Sequence, residues 1–348
     1  MSYFTSQTIT LAAALRDIKT GSDRARATAA HALGEVSDDL ATVNQALVAA
    51  LDDLHPVVRA EAVSSLAQLW SGGGAGRAGE GAARSTEARE SSVTLPADIL
   101  AAICKRLTDG DPAVRQNAAI ALGTIGDPAG YAPLAEALAT GSADVRFQAV
   151  TSMVEIGGAQ AYPLLVDALA DRDDEVVGAA ALGLGAIGDG AAVARLAPVL
   201  EHSNANVRFD AAYAMAQLGD GRGRQVLAAA LDDRERGWDA VVALTLLAQP
   251  ADCDALAAAL TRRSVVDEVK AAAAGALLRL RDARTSAAQA ALVAALQSRK
   301  EHLRGIAVEQ LRAVGDEWAR ATLSQFRLTR KGRAFIDVID ETLASNQA

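Results

Sequence analysis

The sequence predicts an all-α fold, an α-solenoid of about nine helical hairpins, and three observations point to it. Arg115, Arg146, Val177, Arg208, Asp239 and Lys270 recur at a constant spacing of 31 residues, the mark of an array of small units rather than a closed globule. Around this slot the apolar residues stand one before, three after and seven after (Val114, Ala118, Leu122; Val145, Ala149, Met153), a spacing of four and four that lines one face of an α-helix. The third observation is punctuation. Asp111, Ser142, Asp173 and Asn204 stand four before the slot as side chains that accept hydrogen bonds from a helix's free first-turn amides. Gly126, Gly157, Gly188, Gly219 and Gly315 stand eleven after it, suited to the left-handed turn that ends a helix.

Each slot therefore marks the second helix of a unit, about 14 residues long, and the first helix lies between one glycine and the next cap. Leu134 and Leu138, Leu165 and Leu169, Leu196 and Leu200, and Leu227 and Leu231 are pairs four apart that give these first helices an apolar face. The same rule recovers units at Arg26, Arg59 and Arg304, for nine slots in all. Pro56 after His55 and Pro112 after Asp111 fit the first helical position, where a missing N–H has no intrahelical partner. After slot 239 the pattern slips, because Leu256 and Leu260 come two residues early. Residues 316–348 are read as capping helices. The solenoid is expected to run over 1–348 as one array, interrupted by a flexible Gly/Ala/Ser-rich loop at 71–94 that has almost no large apolar residue.

The run Asp111 to Asp127, DPAVRQNAAIALGTIGD, resembles the HEAT-like repeat first noted in phycobilisome lyases. Val177 and Asp239 depart from its arginine slot. The resemblance implies a stacked-hairpin superhelix and a role in holding other proteins.

Formal charge is −9 and the sequence pI about 5.1, which argues against a phosphate-gripping nucleic-acid binder. The arginines fall mostly in the repeat slot, where a carboxylate near the cap of the same or the adjacent unit is the expected partner. A basic cluster, Arg327, Arg330, Lys331 and Arg333, is read as part of a solvated C-terminal cap. The first ten residues lack a signal-peptide pattern and no apolar run reaches the ~20 residues that span a bilayer, so a cytoplasmic protein without membrane insertion is expected. Cys104 and Cys253 lie in first helices of distant units, which predicts two free thiols.

The remaining residues spell no complete catalytic pattern. Gly183, Gly185 and Gly188 spell GxGxxG, but they close a helix in repeat register instead of following a strand and opening one, so they are read as packing glycines. His31, His55, His202 and His302 form neither HExxH nor a zinc spacing. No enzyme, metal or cofactor is predicted.

In stacked hairpins the second helices line the inner wall, so positions one, two and five after the slot are expected to face a partner. These are Gln116, Asn117 and Ile120; Phe147, Gln148 and Thr151; Gly178, Ala179 and Leu182; Phe209, Asp210 and Tyr213. Aromatics are 3% of the chain, yet three fall in this set. Phe147, Phe209 and Tyr213 are the expected anchors for a protein or peptide partner, and the chain is read as a non-catalytic scaffold or adaptor. The alternatives are a phycobilin lyase-like, tetrapyrrole-handling protein and a regulatory subunit of an enzyme complex.

Overall fold

A computed structural model describes residues 9–36, 39–71 and 95–344, so all but the first residue of the anticipated 71–94 loop lies outside the described residues. Among the described residues there are twenty α-helices and no strand. They alternate as first and second helices of ten hairpins. The first helices are α1 (Leu11–Thr20), α3 (Leu40–Ala50), α5 (Ala97–Lys105), α7 (Tyr131–Thr140), α9 (Ala161–Ala168), α11 (Ala192–Leu196), α13 (Arg224–Ala230), α15 (Pro250–Thr261), α17 (Thr285–Leu296) and α19 (Glu317–Arg327). The second helices are α2 (Asp23–Gly34), α4 (Pro56–Trp70), α6 (Pro112–Ile125), α8 (Ala143–Ile156), α10 (Asp174–Ile187), α12 (Ala205–Gln217), α14 (Gly237–Leu247), α16 (Asp267–Arg279), α18 (Glu301–Val314) and α20 (Ile336–Ala344). The chain divides into two compact units, residues 1–183 and 184–348, with the division inside α10.

The punctuation works as the residue types dictate. Asp111, Asp173 and Asn204 accept first-turn amides at 2.8 to 3.0 Å. Ser142 does not cap its helix with its side chain; its hydroxyl bonds the Asp144 carboxylate instead and helps hold that group below the usual carboxylate range. His55 occupies a cap position without a capping bond. Gly126, Gly157, Gly188, Gly219 and Gly315 all have positive φ, between 64° and 78°. Arg281 takes the corresponding position after Lys270, with φ 54°, a conformation that costs a side-chain-bearing residue about 1 kcal/mol or more.

In unit 1 the core runs between the helix layers. Leu33, Leu66, Leu122 and Met153, each seven after its slot, are fully buried beside Leu134 and Leu165, and each such side chain contributes on the order of 2 kcal/mol of transfer free energy. Successive second helices meet through small residues. A Cβ on Gly34 would stand 2.8 Å from the Ser65 Cβ, and one on Gly123 would stand 2.8 Å from the Ser152 Cβ. Ser152 uses this closeness to donate its hydroxyl to the Ala119 carbonyl at 2.8 Å.

The arginine slot is structural. Arg26 pairs in a fork with Asp53 at 2.7 and 2.8 Å, Arg59 with Asp109 at 2.9 and 2.6 Å, and Arg146 with Asp171 at 2.8 and 2.7 Å. The carboxylate stands two residues before the next cap position, where it also accepts the amide of His55, Asp111 or Asp173. Each arginine also donates to carbonyls five or six residues before itself, as Arg59 does to Asp53 and Leu54 and Arg115 to Asp109 and Gly110. The result is a ladder from Arg26 through Asp53, Arg59 and Asp109 to Arg115.

Unit 2 keeps the hairpins but not the ladder. Arg208 and Arg304 reach the carbonyls of their own turns, and a buried arginine pair forms elsewhere, between Arg224 and the fully buried Asp252 of α15. Cys104 and Cys253 are free and lie in α5 and α15, and burial pushes the Cys104 thiol up to about 11, which keeps it protonated and unreactive. At the C-terminus Arg327 pairs with Asp340 and Lys331 donates to the Gln297 carbonyl, so two members of the basic cluster are bound within the chain.

Candidate partner-binding face

Helical geometry decides which second-helix residues reach solvent. With 100° per residue and the core centred three after the slot, positions one and five after it point away from the core, whereas position two points sideways. In α6, Gln116 and Ile120 are exposed as expected. Asn117 is half-buried and turned toward the preceding second helix, where its amide donates to the Ala60 carbonyl at 3.4 Å and the Ser64 hydroxyl at 3.3 Å. In α8, Phe147, Gln148 and Thr151 are half-buried, and Gln148 donates to the Thr151 hydroxyl at 2.9 Å. In α10, Gly178 is buried and Ala179 half-buried, while Leu182 is exposed. Gly183 and Gly185, from the GxGxxG run, pack against neighbours: added Cβ atoms would stand 2.5 Å from Val154 and 2.7 Å from the Ala214 backbone.

Phe209 departs from expectation. It is only 5% exposed and belongs to the core of unit 2. The guanidinium of Arg236 lies 4.8 Å from its ring centroid, held there by the Asn206 carbonyl at 3.2 Å and the Asp210 carboxylate at 3.1 Å. A cation seated on the ring face closes it from solvent. Burial pushes the Asp210 carboxyl up, and Arg236 opposes that shift. Tyr213 is half-buried, its ring 6.3 Å from Phe209, and burial together with the nearby Asp239 carboxylate raises its hydroxyl pKa.

The register of α14 explains why Arg236 is there. If Asp239 filled the repeat slot, Trp238, Val242 and Leu246 would be core residues. Instead they are 39%, 38% and 54% exposed, and Gly237, Ala240, Val241, Ala243, Leu244 and Leu247 are buried. Gly237, not Asp239, occupies the slot. The two-residue slip noted at Leu256 thus begins one helix earlier. It places Trp238, Val242 and Leu246 one, five and nine after the slot, an apolar stripe along the outer line of the helix and adjoining Tyr213 through Asp239. Sequence reasoning missed these three residues. Their i, i+4, i+8 spacing was visible, but α14 carries two apolar lines and the 31-residue period assigned this one to the core.

Among the described residues no group of three or more His, Cys, Asp or Glu could hold a metal ion. Two histidines do meet carboxylates across neighbouring second helices, His31 with Glu61 and His302 with Glu268, both at 2.7 Å. No helix of the described residues is long and apolar enough to cross a membrane.

Comparison with known proteins agrees with this architecture. The family model for HEAT repeats matches residues 100–184 and 168–245. Residues 100–245 are thus HEAT repeats. No curated protein sequence matches the chain. Among solved structures it is similar to Kap95p, described in connection with its binding of RanGDP, at 12% identity and TM-score 0.54, covering 97% of this chain and 52% of that one. It is also similar to the CpcE and CpcF complex of phycocyanin lyase from Nostoc (20% identity, TM-score 0.35, 84% and 96% covered). A third is human deoxyhypusine hydroxylase (22% identity, TM-score 0.35, 71% and 96% covered). At such identities the likeness concerns the fold alone.

Proposed function

We propose that this chain is a non-catalytic scaffold that holds a protein partner against the exposed line of its second helices. The observation that carries the reading is the stripe Trp238, Val242 and Leu246, which leaves large apolar side chains in solvent on a helix that had a buried alternative of equal size. Exposed aromatic and aliphatic residues grouped on one rigid element are what partner proteins use as anchors. Tyr213 adjoins the stripe in unit 2, and in unit 1 Gln116, Ile120 and Leu182 hold the corresponding line with a more polar character. Phe147 and Thr151 continue that line half-buried, Asn117 and Gln148 flank it, and Phe209 and Asp210 hold Arg236 beneath it. Kap95p, an array of like fold, binds another protein, which is consistent with the reading at the level of fold.

A photo-crosslinking amino acid placed at Leu246, and separately at the exposed Val293 on first helix α17, tests it in the native cell. A discrete adduct from position 246 that is absent from position 293 is the expected result. Equal labelling from both positions, or none from 246, overturns the proposal.

A further inference from the structure

We infer that the stripe on α14 receives a basic amphipathic helix of a partner protein, an inference that rests on the scaffold reading above. The stripe repeats every four residues along a helix of 11 residues, so it matches a partner helix with apolar residues three and four apart better than an extended peptide, whose side chains alternate. Its size fits one short helical segment and is too small for a self-standing interface with the folded face of a second copy. The exposed parts of Trp238, Val242, Leu246 and Tyr213 amount to roughly 300 Å² of apolar surface, given side chains of about 150–250 Å², whereas a stable interface between two proteins buries about 800 Å² on each.

Charge selects the flanks of that helix. Residues 232–239 carry four carboxylates against two guanidiniums; with Asp232 paired to Arg262 and Arg236 to Asp210, Asp233, Glu235 and Asp239 stand against Arg234 alone. Asp239 is exposed beside Trp238 and Tyr213 and has no ion-pair partner among the described residues. A lysine or arginine flanking the partner's apolar face would meet the Asp239 carboxylate and the electron-rich Tyr213 or Trp238 ring together, while a glutamate there would be repelled.

The probe is a fluorescein-labelled eighteen-residue helix with leucines along one face and lysines on its flanks, compared with the same peptide carrying glutamates, both titrated against the full chain by anisotropy. The lysine peptide is expected to bind about ten-fold tighter or better than the glutamate peptide. Leu246→Asp should weaken it by about ten-fold, and Asp239→Lys should narrow or reverse the preference between the peptides, with helical content unchanged by circular dichroism. Equal binding of both peptides, or lysine-peptide binding indifferent to Leu246→Asp in a folded chain, overturns the inference. So does a Leu246-dependent dimer in sedimentation, which would assign the stripe to a second copy. A crosslinked partner at position 246 with no lysine-peptide binding would refute the partner's chemistry and leave the scaffold reading standing; no crosslink and no binding would refute both.

Discussion

Unit 1 and unit 2 are built from the same hairpin, yet they use their second helices differently. Where the 31-residue register holds, from α6 to α8, each slot carries an arginine and the outer line is mixed, with Gln116 beside Ile120. Where the register slips, at α14, the slot holds Gly237, an arginine one residue earlier folds over Phe209, and the outer line becomes Trp238, Val242 and Leu246. A shift of two residues turns a helix by about 200°, which is enough to exchange its inner and outer faces. The regular repeats therefore keep a mixed outer line, and the irregular one leaves large apolar side chains on it.

The comparison can be broken most forcefully at Phe209. Replacing it by alanine empties a site in the core of unit 2 and should cost about 3 kcal/mol or more, seen as a lowered denaturation midpoint. Indifference to the change would show that the ring is an outward anchor after all. Gly123→Val in unit 1 drives a branched side chain into Ser152 of the next second helix and should cost about 3 kcal/mol.

The ladder gives the next effect. Asp171→Asn removes the charge from a fork whose arginine side chain is 5% exposed, and chemical denaturation should report a loss of about 2 kcal/mol. It also alters the response to acid. The Arg26 and Arg146 guanidiniums hold the Asp53 and Asp171 carboxyls below their usual value against the opposing effect of burial. The stability these groups contribute is complete above the unfolded carboxylate pKa of about 3.9 and is lost as pH falls below it. A chain with Asp53→Asn and Asp171→Asn should therefore be less stable at neutral pH and show a shallower decline in stability between about pH 5 and 2.

Two smaller changes sharpen the contrast. Arg281→Gly relieves a left-handed residue and should raise stability by about 0.5 kcal/mol, the strain removed exceeding the added freedom of the unfolded chain. Trp238→Ala should move the melting transition by less than about 0.5 kcal/mol, since much of the ring is already in water, while abolishing crosslinking from position 246.

Much of the fold was legible because its signals are local. A glycine eleven after five of the nine slots reads as a helix end, and every one of the five has positive φ. The core positions were equally plain, because Val114, Ala118 and Leu122 leave no alternative face. The arginine's partner was placed near a cap, and it stands two residues before one, a detail set by the reach of the guanidinium fork. The outer face was less legible. Position two after the slot lies sideways, as Asn117 shows, and no spacing rule reveals that Arg236 would cover Phe209. In α14 both faces are apolar, so periodicity could not choose between them, and packing against α12, α13, α15 and α16 decides.

The fork of Arg59 takes a carbonyl from its own turn and a carboxylate from the next, and the turn that supplies the carboxylate offers its carbonyl to the arginine that follows. Excising or duplicating one whole hairpin of this kind rejoins matching valences at the seam, so the run of slots from Arg26 to Arg115 is adjustable in single steps. The hairpin ending in α14 lacks that interchangeability, since its arginine is committed to the phenylalanine of the hairpin before it.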